Sequence, residues 1–266
     1  MQPSEATKIE HAKILITVKT YPQESVKYDE TVCTAGLRDG QRWIRIYPVA
    51  FRSLDKSKKF KKYQWIEADI VRDSRDPRRE SYKLAGEIKT LNFVDTRLNW
   101  DERKKFVLGK VYYNLDTLIQ ETRDIKNSTS LATFKPARII NFKIREKTKA
   151  EKIGNRSDTV SARCKNEINK IPYNFFYTVI DQLGRRSTMQ IHDWEIYQLC
   201  RKIIFQHGHN KELIEKILNE KYFLRFVKNC DIHLFLGTSR QWHIRRNRNP
   251  FMIIGIFYPP ISRRKM

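Results

Sequence analysis

The chain has 266 residues, 40% of them hydrophobic and 12% aromatic, which is too apolar for a disordered chain and enough for a sizeable core. Its 53 Lys and Arg against 30 Asp and Glu leave a net charge of +23, a self-repulsion that a polyanionic partner would offset. The longest apolar run, 251–258, is far short of the roughly 18 residues of a membrane-spanning helix, so no membrane partner is expected.

The N-terminus carries no charged-then-apolar leader, and Cys33, Cys164, Cys200 and Cys230 have no paired spacing. Both features predict a reduced, cytoplasmic protein.

Alternating segments dominate the first third. Residues 14–22 and 30–37 read as strands, and the second turns through Asp39-Gly40 into a third at 42–49. Residues 63–71 and 86–94 add two more, giving the strand count of a small antiparallel barrel of the OB, SH3 or PUA-like kind. The crossover at 51–62 carries five lysines, and 95–130 reads as helical around 103–121. A strand is predicted at 138–146, a polar loop at 147–170 and a hairpin around Leu183-Gly184.

Asp193 and Asn210 can each cap a helix, near 193–207 and 210–228. In the second, Leu213, Ile214, Ile217, Phe223 and Val227 are predicted to face inward. Two apolar strands, 232–237 and 251–258, flank a basic loop at 238–249. The expected class is α+β: a β-barrel part over 1–95, packed with a part over 96–266 that holds the helical pair and the closing strands, the two forming one functional unit.

In the hairpin, a two-residue turn at Asp39-Gly40 would set Trp43 opposite Gly36, Arg45 opposite Thr34 and Tyr47 opposite Val32. A guanidinium between two rings on an exposed face would make a stacking platform for bases. If both faces of the sheet are covered, the same residues belong to the core. Basic clusters recur at 56–62, including Lys59 and Lys62, at 72–79, including Arg78, at 240–248 and at 263–265. With Lys19, Tyr21, Arg52 and the loop residues Arg240, Gln241, Trp242, His243, Arg245 and Arg246, they form the predicted nucleic-acid-binding set. The partner expected is DNA, either a duplex with a flipped or modified base or a single strand.

No zinc-type spacing, phosphate-cradling glycine loop or G-x-S-x-G motif is present, and no cofactor or metal is predicted. N-glycosidic cleavage needs a carboxylate that orients water and steadies an oxocarbenium-like state, with an aromatic pocket for the base. The candidate carboxylates are Asp29 and Glu30 beside Tyr28, Asp193 and Glu195 around Trp194, and Asp231 beside His233. Asp193 is better placed to be a helix cap. The runner-up is a magnesium-dependent nuclease using Asp76, Glu87 and Lys89, which echo a D…E-x-K arrangement. A third reading is a non-catalytic reader of modified DNA or RNA.

Several stretches together, KTYP (19–22), YDETVCTAG (28–36), WIRIYPVAFR (43–52), FLGTSRQWH (235–243) and MIIGIFYPP (252–260), resemble an uncharacterised bacterial family associated with phage defence. The resemblance spans nearly the whole chain. It implies an activity against invading DNA, of which a glycosylase acting on modified phage bases is one form. It assigns no residue a role.

Overall fold

The computed structural model describes residues 8–21, 23–25, 29–124, 128–149, 151, 171–246 and 248–261, with the backbone alone at 23–25, 29–30 and 52. Residues 152–170, most of the predicted polar loop, and the basic cluster at 263–265 lie outside the described residues.

The fold is α+β. Strands β1 (Lys8–Lys19), β3 (Asp29–Arg38), β4 (Arg42–Val49), β5 (Gln64–Arg72) and β6 (Ser81–Phe93) pair in the order β1-β5-β6-β4-β3, and β3 pairs again with β1, so the sheet closes into a five-stranded barrel. The short β2 (Gln23–Ser25) extends the edge of β3. Every pairing is antiparallel except β4 with β6. The barrel is filled by branched side chains that alternate inward, among them Ile14, Ile16, Ile44, Ile46, Ile66, Ile70 and Ile88.

A second sheet runs β7 (Val111–Tyr112), β8 (Leu131–Phe134), β12 (His233–Thr238), β13 (Phe251–Phe257), β11 (Arg186–Ile191), β10 (Tyr173–Ile180) and β9 (Arg138–Glu146). Helix α1 (Arg97–Val107) joins the two sheets, and α2 (Leu115–Arg123) follows β7. The region expected as one helix over 103–121 is therefore two helices with a short strand between them.

Helices α3 (Trp194–His207) and α4 (Lys211–Asn219) cover the second sheet. A π-helical stretch (Glu220–Arg225) and α5 (Phe226–Asn229) continue α4. Asp193 and Asn210 accept hydrogen bonds from Glu195 N and Leu213 N, so both expected caps form. The inward stripe of the second helix is Ile214, Leu218, Tyr222 and Phe226, while Val227 is exposed. One inserted residue in the π turn rotates the last turn away from the 3.6-residue pattern.

The barrel packs on the second sheet through a core that neither possesses alone. Leu15, Val18, Ala35 and Leu37 from the barrel meet Leu131, Phe235, Ile254 and Phe257 from the sheet. A side chain at Gly255 would collide with Phe235 and Val18, which is how β1 and β13 come so close.

This packing corrects the expectation for the first hairpin. The turn is a three-residue 3₁₀ segment, Asp39–Gln41, so the register is Leu37 with Trp43, Ala35 with Arg45 and Val32 with Val49. Trp43 is half-buried, with its ring edge-on to Phe235 at 5.3 Å between centroids. Arg45 is buried, donating to Ser81 Oγ at 3.1 Å, Ser130 Oγ at 2.9 Å and Ser130 O at 3.3 Å. Glu80 accepts from the same Ser130, from its N–H and its hydroxyl, at 2.8 Å each. The aromatic–cation–aromatic strand thus faces the second sheet for two of its three residues. Tyr47 alone is exposed, its hydroxyl 3.4 Å from Thr31 Oγ1.

Candidate functional site

Where β1 ends, Tyr21 N donates to His192 O at 3.0 Å, and Thr20 forms a β-bridge with Asp193. These bonds seat the N-terminus of α3 against the mouth of the barrel. A cavity of about 290 Å³ opens there, near the lower end of small-molecule pockets. Five rings line it, Tyr63, Phe93, Trp100, Trp194 and Tyr258, with four cations, Lys19, Lys61, Lys62 and Arg103, one carboxylate, Glu195, and Ile256.

Asp193 organises this site from below. Its carboxylate caps α3 by accepting from Glu195 N at 3.0 Å and ties the helix to β13 by accepting from Ile256 N at 2.9 Å. Lys62 Nζ is 3.1 Å from Asp193 Oδ2 and 3.1 Å from Glu195 Oε2. Burial works against the charge on Lys62, but the two carboxylates outweigh it and raise its pKa. Asp193 is enclosed at 2% side-chain exposure, whereas Glu195 keeps 42% and faces the opening.

The cations are held against rings. The Lys19 ammonium sits 4.3 Å from the centroid of Phe51 and 5.4 Å from that of Trp194, and donates to Phe60 O at 3.2 Å. Burial, then the Lys62 charge, lowers its pKa to about 8. The Arg103 guanidinium lies 4.0 Å from the Tyr63 centroid, 5.0 Å from Trp100 and 5.3 Å from Phe93, with Nε donating to Val94 O at 2.9 Å.

Two observations mark the cavity as more than a packing defect. The Tyr63 hydroxyl is buried with no hydrogen-bond partner among the described residues, a cost of about 1–3 kcal/mol that a ligand could recover. Tyr63 and Trp100 also occupy left-handed backbone, with φ of 61° and 66°, which bulky residues seldom adopt outside sites that require it.

Of the sequence-predicted residues, Lys19, Lys62, Asp193 and Glu195 meet here. Tyr21 lies alongside, stacked on Tyr197 at 4.3 Å. Lys59 is exposed on the adjoining crossover. The side chains of Asp29, Glu30 and Arg52 lie outside the described residues.

The arginine-rich set gathers at the other end of β13, about 20 Å away by strand rise. Arg78 grips Asp76 through Nε at 2.9 Å and Nη2 at 2.6 Å and donates to Thr238 O at 2.6 Å. Arg240 donates to Arg75 O at 2.8 Å from α6 (Arg240–Ile244). Gln241, Arg245 and Arg246 are exposed, Trp242 is half-buried, and His243 bonds Ser128 Oγ at 2.9 Å.

The nuclease triad does not assemble. Asp76 is committed to Arg78, Glu87 to Lys58 at 2.7 Å, and Lys89 approaches Glu67 at 3.9 Å. Among the described residues no three His, Cys, Asp or Glu side chains converge as metal ligands. No described helix is long and apolar enough to cross a membrane.

Sequence reasoning missed Tyr63, Phe93, Trp100, Arg103 and Tyr258. Tyr63, Phe93 and Tyr258 lie at the ends of strands, where alternation stops, and Trp100 and Arg103 lie in α1, so nothing in the pattern says that these side chains converge.

No curated protein matches the chain. Among solved structures, the tetrameric p202 HIN2 domain aligns at 10% identity over 97% of this chain and 96% of that one, with a TM-score of 0.32. A murine DNA-binding protein solved with double-stranded DNA aligns at 9% identity over 97% and 98%, with a TM-score of 0.31. Scores this low transfer neither topology nor residue roles. The profile described as "Domain of unknown function (DUF8758)" matches residues 10–109, the barrel and α1. The profile described as "Domain of unknown function (DUF8757)" matches residues 111–266, more than half of the chain, and the chain belongs to that family.

Proposed function

We propose that the protein binds DNA and draws one nucleotide into the cavity at the barrel–sheet junction, where Glu195 assists hydrolysis of the N-glycosidic bond. The observation that carries this reading is the sharing of one concave space by five rings, four cations and one accessible carboxylate. Rings grip a base by stacking, cations hold its phosphates, and a carboxylate steadies the positive charge that develops on the sugar as the bond breaks. The net charge of +23 supplies the non-specific attraction to the polymer. A modified base of invading DNA is the substrate that the family resemblance implies.

The test incubates the protein with plain and modified duplexes, with and without EDTA, followed by alkali. Alkali-dependent breaks that survive EDTA are expected, and Glu195→Gln should slow them by about 10²–10⁴-fold. Undiminished cleavage by Glu195→Gln, or direct breaks abolished by EDTA, would overturn this mechanism.

One observation favours the non-catalytic reader instead: Glu195 is already engaged by Lys62 at 3.1 Å. Tight binding without product under any condition supports the reader. Under both readings Trp194→Ala weakens binding by about 1–3 kcal/mol, because a base loses its stacking partner.

A further inference from the structure

Three lysines line the cavity, and their surroundings set them apart. Lys62 is locked between two carboxylates that hold its proton. Lys61 is exposed to water. Lys19 is neither: it lies over the rings of Phe51 and Trp194, donates among the described residues only to the Phe60 carbonyl, and has the Lys62 ammonium nearby on the same cavity wall. The charged groups that face it are Lys62, Glu195 and, behind them, Asp193. An amine desolvated by rings and crowded by a second cation loses its proton readily and becomes a nucleophile for carbonyl carbon.

We propose that Lys19 is an amine nucleophile that forms an imine with the C1′ aldehyde of an abasic deoxyribose held in this cavity. The inference rests on the DNA reading above, since cleavage of the glycosidic bond leaves that sugar in the same place. The Nζ lone pair attacks C1′, and the π pair of the carbonyl moves to its oxygen. One amine proton transfers to that oxygen, giving a carbinolamine. The oxygen then departs as water with the second amine proton, leaving C1′=Nζ. Glu195, on the same cavity, is the carboxylate that can relay both protons.

The numbers favour Lys19 over an ordinary surface lysine. With its pKa near 8, roughly one molecule in five carries the free amine at pH 7.4, against about one in a thousand for a lysine near 10.4.

The experiment supplies a duplex with a preformed abasic site, so that it does not depend on excision, and traps the imine with sodium borohydride. Binding to the same duplex is measured in parallel. The expected result is a covalent adduct on a denaturing gel that maps by peptide mass spectrometry to Lys19. Lys19→Arg, which keeps the cation over Phe51 and Trp194, should bind the duplex and form no adduct there. Binding without an adduct, or an adduct that persists in Lys19→Arg or maps to another amine, overturns this inference and leaves the DNA reading standing. Failure to bind the duplex overturns both.

Discussion

Lys62→Met is expected to lower the stability of the protein by about 3–5 kcal/mol, the usual loss when one member of a buried ion pair is removed. The cause is specific. Asp193 has 2% side-chain exposure, and without Lys62 its carboxylate keeps two backbone donors, Glu195 N and Ile256 N, but no counter-charge. Glu195 suffers little, because it reaches water. Adding Asp193→Asn to Lys62→Met should therefore recover most of the loss, since the amide oxygen can still accept a backbone bond and no charge remains to be hydrated. Urea unfolding midpoints of the two variants check this, with the single variant expected to melt roughly 10 °C lower on heating. Equal midpoints for wild type and Lys62→Met would mean that the Lys62–Asp193 pair does not stabilise the fold. Because Asp193 fixes Trp194 and Glu195, the single variant should also lose affinity for DNA in proportion to its loosened cavity.

The second large effect lies at the opposite end of β13. Asp76→Asn should cost about 3–5 kcal/mol at pH 7, because Arg78 is left buried with the Thr238 carbonyl and a neutral amide. Burial tends to raise the Asp76 pKa, but the hydrogen bonds and charge of Arg78 outweigh it and hold the carboxyl well below the usual range. A carboxylate whose pKa is depressed by folding contributes stability above its unfolded value, near 3.9, and loses it as pH falls through the folded value. The gap between wild type and Asp76→Asn in denaturant titrations should thus be full at pH 7 and narrow below about pH 4. A gap independent of pH would show that the pair does not stabilise the fold through its charge.

The barrel was legible because its cause is local. Alternation at 14–22, 30–37 and 42–49, with the Asp39-Gly40 signal, sets strands and their connection without reference to anything distant. The helix caps at Asp193 and Asn210 were legible for the same reason. What the pattern could not say is what covers the outer face of the barrel. Trp43 and Arg45 looked solvent-facing because alternation assigns sides but not neighbours, and the neighbours proved to be Phe235 and Ser130, the nearer of them 85 residues later in the chain. The one-residue longer turn also moved every cross-strand pair, which no propensity at Gln41 announces.

The site was legible in half. Lys62 stood out in a basic run, Asp193 and Glu195 as carboxylates around Trp194, and Lys19 in the predicted binding set, and the fold brings them within reach of one cavity. The rings that complete it come from five separate segments, so their convergence is a property of tertiary packing alone. The basic runs divide likewise: Lys61 and Lys62 line the cavity, while Arg78 and Arg240 lie at the far end of β13.

Photo-crosslinking tests the central claim most directly. A duplex carrying 5-iodouracil is bound, irradiated and digested, and the crosslinked peptides are mapped. If the cavity takes a nucleotide, the adducts fall on Tyr63, Trp100, Trp194 or Tyr258. Efficient crosslinks confined to rings outside it, such as Tyr47 or Trp242, or none despite tight binding, would contradict it.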